Sequence, residues 1–370
     1  MRIAVSGDGY FLTRYTPLLQ ALGAYAESVQ AVPGGNLSEW LPLRVYNRLT
    51  RGTSLHGRLL APDPNPTAFG IRSRRAERRL ASLQPAPDLV LHIFCSFAPV
   101  WSRPLACPYA FYVDYTMAQA IREYPEWARF QSTAAQEAWL RAERATYARA
   151  SHIFTMTEAG VAALHEYYGV PTSRLTVVGN GGHIASLYDG AKTFGTHHLL
   201  FDGSDMHRKG GDILLAALAQ VRRTLPSATL TVVGNTEPVV QDGVRSLGPG
   251  HSTAEMRELF LASDLVVTPA RCDPFPGLVV EAMNYGVPIV TSRVSGSSGA
   301  VTRHQCGVVV DDLTGEAFAP AIHDLLLDQP RLEQMSANGR RAVRERFNWT
   351  AIAATMATAL HLPHAPTPAS

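Results

Sequence analysis

Asp273 and Glu281 frame the stretch Asp273-Pro-Phe-Pro-Gly-Leu-Val-Val-Glu281, two carboxylates eight positions apart. A second reactive stretch runs Leu200-Phe-Asp-Gly203-Ser-Asp-Met-His-Arg208-Lys209-Gly210-Gly211. Arg208 offers a planar fork and Lys209 a point charge, enough to neutralise two phosphates. The glycines let the chain turn tightly and approach a ligand, and Asp212-Ile-Leu-Leu-Ala-Ala-Leu starts a helix directly after them. Carboxylates for hydroxyls and cations for phosphates are the chemistry of a phosphorylated sugar.

The elements that position these groups read from the same residues. Asp264 to Pro269 is a buried strand, β-branched and closed by a proline. Leu278 to Tyr285 reads as a helix, with Gly286 as its C-cap and Pro288 opening the next strand. Asp273 therefore stands on a loop leaving a strand's carboxyl end, where open α/β sheets bind ligands. The amides of Gly277 and Leu278 fall at a helix N-terminus, which suits a diphosphate. Glu281 lies one turn further in, within reach of a sugar or ribose hydroxyl pair.

Strand-like and helical runs alternate along all 370 residues, which predicts parallel sheets covered by helices, an α/β protein of two domains. Expected strands in the first half are Ile3–Ser6, Asp88–Phe94, Ala110–Val113, His152–Met156 and Leu175–Val178. In the second they are His198–Phe201, Thr229–Val233, Asp264–Val267, Pro288–Val290 and Gly307–Val310. Helical patterns cover Ala135–Ala150, Glu158–Tyr168 and Thr350–Leu360. Asn180-Gly-Gly-His to about Gly195, small and polar, reads as a hinge. The expected division is residues 1–182, residues 196–347, and a last helix with a proline-rich tail over 348–370. Apolar residues make up 46%, charged residues 17%, and the net charge is +2. Cys95, Cys107, Cys272 and Cys306 are scattered without a Cys-x-x-Cys pair, which argues against zinc or a disulfide framework. No apolar run approaches the ~20 residues that span a bilayer, and the first strand is too short for a signal-peptide core. A cytoplasmic location is expected, on the membrane face if the chain meets a membrane.

The Asp273–Glu281 spacing resembles the Glu-x7-Glu motif of family-4 (group 1) retaining glycosyltransferases. The resemblance covers nearly the whole second domain by motif and the first by architecture. It implies the GT-B fold, two tandem Rossmann-like domains facing across a cleft, with the final helix crossing back to the first domain. In that family the first acid contacts the donor sugar, here Asp273, one methylene shorter than the usual glutamate. The second acid, here Glu281, holds the nucleotide ribose, and a Lys-Gly pair matched by Lys209-Gly210 binds the donor diphosphate. Many relatives carry an arginine near the positions of Gly203 and Ser204. Arg208 either covers that missing charge or points to solvent. The turn Ser246-Leu247-Gly248-Pro-Gly250 corresponds to one that supplies backbone groups to the base, so the nucleotide stays unassigned. Relatives manage without a divalent ion, and no cofactor is expected beyond the nucleotide-diphosphate sugar as co-substrate.

In the first domain, Gly7-Asp8-Gly9 follows strand one and could bring amides such as that of Gly9 toward donor phosphates or acceptor. Tyr112-Val-Asp114 ends a strand, and Asp114 either stabilises an oxocarbenium-like sugar or caps the following helix. His92, inside an apolar run, reads as a core histidine. From Arg44 to Arg79 there are nine arginines against Asp63 and Glu77. The densest part holds Arg72, Arg74, Arg75, Arg78 and Arg79. Two readings fit them, a contact with an anionic bilayer or diphosphate-linked lipid, and a solvated helix face. Nucleic acid is disfavoured for want of stacking aromatics. The expected activity is transfer of a sugar to a saccharide or lipid-linked acceptor, in polysaccharide or glycolipid assembly. A GT-B nucleotide-sugar epimerase and a non-catalytic nucleotide-sugar-binding subunit are the rival readings.

Overall fold

Runs of β-branched and aromatic residues pack side by side as central strands because both of their faces are covered by helices. The structure, a computed structural model, describes residues 1–34, 64–184 and 186–363. The chain forms two units, Met1–Val178 joined by the chain from Ile352 on, and Gly179–Ala351. Of the basic stretch, Arg44, Arg48, Arg51 and Arg58, together with Asp63, lie outside the described residues.

The first unit holds β1 (Arg2–Gly7), β2 (Ser28–Pro33), β3 (Leu89–Ile93), β4 (Tyr109–Val113), β5 (His152–Thr155) and β6 (Leu175–Val177). All pair in parallel, in the order β2-β1-β3-β4-β5-β6. Its helices are α1 (Gly9–Arg14), α2 (Thr16–Leu22), α3 (Pro66–Ala81), α4 (Met117–Glu123), α5 (Thr133–Ala148) and α6 (Glu158–Tyr168). Side-chain oxygens of Asp8, Asn65, Thr116, Ser132 and Thr157 accept first-turn amides and fix where five of these helices begin. Val90, Phe111, Ile153, Phe69, Tyr147 and Leu164 meet in the core.

The second unit holds β7 (His198–Asp202), β8 (Thr229–Val233), β9 (Val244–Leu247), β10 (Leu265–Thr268), β11 (Ile289–Ser292) and β12 (Gly307–Val310). Six helices accompany them: α7 (Gly211–Thr224), α8 (Thr253–Ala262), α9 (Gly277–Asn284), α10 (Ser298–His304), α11 (Gly315–Leu326) and α12 (Gln329–Glu345). The parallel order β12-β11-β10-β7-β8-β9 reverses direction between β7 and β10, so that pair flanks the topological switch point where such sheets take ligands. The last helix, α13 (Trp349–Ala359), contains the boundary between Ala351 and Ile352. No helix among the described residues is long and apolar enough to cross a membrane.

Two strands were not expected, β2 and β9. Both are edge strands with largely exposed or half-exposed residues, so their sequences, Ser-Val-Gln-Ala-Val-Pro and Val-Arg-Ser-Leu, lack the apolar run that marks a central strand. The stretch read as a hinge belongs to the second unit, which begins at Gly179. Asn180 Nδ2 donates to the Phe275 carbonyl at 3.3 Å, and the Tyr188 amide reaches Asn284 Oδ1 at 3.2 Å. Arg340 Nη1 donates to the Gly190 carbonyl at 2.7 Å. The stretch is thus bonded to the second unit along its length.

One buried acid makes the first unit pH-sensitive. Glu143 lies inside the core, where Tyr147 Oη donates to it at 3.1 Å and Tyr168 Oη donates to its other oxygen. Burial, only partly offset by these hydroxyls and the Met117 amide, raises its pKa to about 7. The folded protein holds this proton more tightly than the unfolded chain does. The stability it contributes is therefore fully present below the ordinary carboxyl pKa of 4.5 and is lost as pH rises through about 7. Glu143→Gln is expected to flatten that decline, which amounts to roughly 3 kcal/mol. Denaturation midpoints of both proteins between pH 5 and 8 measure it, and parallel pH slopes would contradict this account.

Candidate functional site

At the switch point of the second unit the carboxyl ends of adjacent strands present the reactive residues in a row. Asp202 ends β7 level with Val233 of β8, which is level with Leu247 at the end of β9. On the other side, β10 runs out into the loop carrying Asp273. Gly203 follows Asp202 in close quarters, since a Cβ there would lie 2.5 Å from Val232 Cγ1. Gly210 closes the turn at φ +77°, and a Cβ on it would meet the Pro269 carbonyl oxygen at 2.0 Å. Only glycine allows that approach, and it brings the Lys209 turn against the β10 exit.

Lys209 Nζ sits between two carboxylates, 2.9 Å from Asp202 Oδ2 and 3.0 Å from Asp273 Oδ2. Burial alone would lower its pKa, but Asp273 and Asp202 outweigh burial and raise it, so the ammonium is fixed as a cation. Burial pushes Asp202 the other way from its partners, and the lysine wins, holding this carboxyl below its usual range. Arg208 does not point to solvent. Its Nε bonds Asp205 at 2.9 Å, and its Nη1 donates to the Cys272 carbonyl at 2.8 Å and lies 3.6 Å from Asp273 Oδ2. Of the two readings for Arg208, the geometry therefore places it beside Asp273.

The Asp273 loop is shaped by its neighbour from the turn after β11. Gly296 donates its amide to the Asp273 carbonyl at 2.8 Å, and a Cβ on it would lie 1.6 Å from the Pro274 carbonyl oxygen. Pro276 opens α9 without a side-chain cap, which leaves the first-turn amides of Gly277 and Leu278 without that partner and suited to an anion. Glu281 lies one turn along, half-buried, and its Oε1 accepts the His183 amide at 3.1 Å. The turn at Leu247 is held by the Gly234 amide, which reaches both the Leu247 and Gly248 carbonyls.

Asp202 and Gly296 were missed by sequence reasoning. Asp202 carries the same signal as Asp273, an acid where a β-branched or apolar strand stops. Gly296 carries none, because a close backbone approach is invisible without its neighbour.

In the first unit the sequence-chosen residues have other partners. Asp8 caps α1 through the Tyr10 amide at 3.0 Å and pairs with Arg72, leaving Gly9 as the first helical residue. Asp114 accepts the Tyr115 amide at 2.7 Å. It does not cap α4, because Thr116 does so in a reciprocal capping box with Gln119. The Asp114 carboxylate instead borders a cavity of about 260 Å³ shared with Phe11, Phe94, Tyr115 and Trp127. Phe94, directly after β3, sits at φ +58°, a strained conformation for an aromatic residue. His92 is fully buried with Nε2 on the Phe97 carbonyl at 2.9 Å. Burial drops its pKa to about 3, so it is a neutral core histidine.

The family model for glycosyl transferases group 1 matches residues 192–342, and the glycosyl transferase 4-like domain model matches residues 18–181. The chain belongs to the group 1 glycosyl transferases. A D-inositol 3-phosphate glycosyltransferase of Segniliparus rotundus is 31% identical over 224 residues, 54% of this chain and 49% of the relative. The chain therefore spans about half the length of the curated relatives it matches. Among solved structures, sucrose-phosphate synthase from Thermosynechococcus elongatus superimposes with a TM-score of 0.67 at 17% identity, covering 98% of each chain. Anabaena HepE, solved with UDP, gives 0.64 at 17% identity, covering 98% of this chain and all of the other. At those identities the likeness speaks for the GT-B fold. As a family member with that fold, the chain carries two Rossmann-like units, in keeping with the two six-stranded parallel sheets.

Proposed function

We propose that this chain transfers a sugar from a nucleotide-diphosphate sugar to a saccharide or lipid-linked acceptor, with retention at the anomeric carbon and without a metal ion. The observation that carries this reading is the half-buried Lys209 ammonium between Asp202 and Asp273, with Arg208 beside it. Breaking the bond between the anomeric carbon and the phosphate oxygen leaves charge on the departing diphosphate. Lys209, Arg208 and the amides of Gly277 and Leu278 stabilise that charge as it grows, which is electrostatic catalysis by groups already in place. Two fixed cations supply what a divalent ion supplies in other transferases. Asp273 orients the sugar, and Glu281 receives the ribose hydroxyls. The acceptor oxygen bonds to the same face of the anomeric carbon, and its proton passes to the leaving phosphate. In the first unit Asp114, on its aromatic-walled cavity, serves the acceptor or the developing positive charge on the sugar.

HepE binds UDP according to its solved complexes, which makes uridine donors the first to test. Melting temperatures with UDP, GDP, ADP and their common sugars, with and without EDTA, are expected to rise for one nucleotide by mass action. The rise is expected to survive EDTA and to shrink in Glu281→Ala by more than half. The anomeric configuration of the product, read by NMR, tests retention. If no nucleotide shifts the melting temperature, the donor site is not in the second unit.

A further inference from the structure

Four of the five arginines of α3 fall into two sets, and the fifth, Arg75, is half-buried. Arg72 pairs with Asp8 and stacks over Phe97 at 4.8 Å, and Arg79 donates to the Pro33 carbonyl. These two are spent inside the first unit. Arg74 and Arg78 are exposed, and together with Arg103 they border a separate cavity of about 400 Å³. Its deeper wall is aliphatic, with buried Leu80 and half-buried Pro87 and Leu105. That volume falls within the range of roughly 300–1,000 Å³ typical of small-molecule sites.

The acid nearest this cluster also borders the cavity, but its carboxylate is engaged by the chain rather than by the arginines. Glu77, on the same helix, turns its carboxylate to the Trp101 and Ser102 amides, both at 2.7 Å, and to the Arg103 amide at 3.0 Å. Ser102 Oγ adds a fourth bond at 3.0 Å. Burial pushes the Glu77 pKa up, yet these donors overcome it and hold it at about 2. Its charge belongs to the loop over residues 101–103. Among the described residues, Arg74, Arg78 and Arg103 form no ion pair; Arg74 rests 5.9 Å from the Trp101 ring. Nor does any aromatic ring among the described residues line the cavity, so it offers no stacking platform for a base or a sugar face.

Its place in the fold separates it from the chemistry. The lining residues near 86–87 and 104–107 precede β3 and β4, so the cavity opens at the amino ends of these strands. Asp114 and Phe94 lie at their carboxyl ends. Unpaired guanidinium forks over an aliphatic wall match an apolar chain that ends in a single anionic group. From this we infer that the cavity is a binding site for an anionic amphiphile, an aliphatic chain carrying a phosphate or carboxylate, distinct from the sugar-transfer site. Such a chain could be free or part of a bilayer lipid, and the chemistry recognised is the same.

Calorimetry with dodecyl phosphate below its micelle concentration tests the site. One equivalent is expected to bind, and inorganic phosphate is expected to bind at least tenfold more weakly. The triple variant Arg74→Ala/Arg78→Ala/Arg103→Ala is expected to lose at least tenfold in affinity. So is Ala81→Phe, which narrows the cavity and keeps every charge. Both should melt at the wild-type temperature, since the substituted side chains are exposed. Sedimentation with phosphatidylglycerol or phosphatidylcholine vesicles separates the sources. Binding to the anionic vesicles, lost in both variants, identifies a bilayer lipid; binding to dodecyl phosphate without vesicle binding identifies a free amphiphile. Absence of dodecyl phosphate binding, or vesicle binding that Ala81→Phe leaves intact, overturns the inference.

Discussion

Lys209→Ala is expected to lower kcat/KM for sugar transfer by roughly 10²–10³, the scale seen when one preorganised charge-stabilising donor is removed. The loss has two parts. On the proposed mechanism the departing diphosphate loses a cation, and Asp202 and Asp273, both bonded to the same Nζ, are left facing each other without it. Two carboxylates so placed resist ionising together, so the single variant also distorts the loop that carries Asp273. The double variant Asp202→Asn/Lys209→Ala isolates the catalytic part. It is expected to recover the wild-type melting temperature and to remain as inactive as Lys209→Ala. Steady-state rates and thermal melts on the three proteins decide this. A Lys209→Ala rate within threefold of wild type would sink the assignment of the lysine to the leaving group.

Gly296→Ala should act without touching any charge. The added Cβ would fall 1.6 Å from the Pro274 carbonyl oxygen and 3.1 Å from that of Asp273, both backbone atoms. Neither can swing aside as a side-chain tip would, so the Asp273 loop must move as a piece. Overpacking of this kind costs about 1–3 kcal/mol, and the variant is expected to melt lower by several degrees. Activity is expected to fall by at least tenfold more than the loss of folded protein explains, because sub-ångström placement governs the reacting groups. Rates measured well below the melting transition, together with the melts, separate the two effects. Wild-type activity in a folded Gly296→Ala protein would show that the loop position is not critical.

Much of this architecture could be read from residues alone, for reasons that differ by element. Central strands such as Leu89–Ile93 are buried on both faces, so their composition announces them. Edge strands β2 and β9 meet solvent, and their mixed residues look like loop. The positions of Asp273, Glu281 and Lys209 on their elements were legible because strand ends, glycine turns and helix starts leave marks in the chain at short range. What Lys209 touches was not legible, since Asp202 and Asp273 lie far from each other in sequence and meet only through the order of β7 and β10. The arginines of α3 show the same limit. Five in one dense stretch read as a single face, but helical rotation sends Arg72 to Asp8 and Arg79 to Pro33, leaves Arg74 and Arg78 exposed, and half-buries Arg75.

The resting charge of the site has a kinetic meaning. Asp202, Asp205 and Asp273 stand against Arg208 and Lys209, so the cluster carries a negative excess before any ligand arrives. On the proposed function, an incoming diphosphate is not drawn from a distance and has to exchange places with a carboxylate already on the lysine. The energy gained is the difference between two charge-assisted bonds, so added salt should change the capture rate little. The same carboxylate stands ready to reclaim the lysine once the sugar has left. If Lys209 takes the diphosphate as proposed, Asp202 is a resident competitor that keeps the spent nucleotide from lingering.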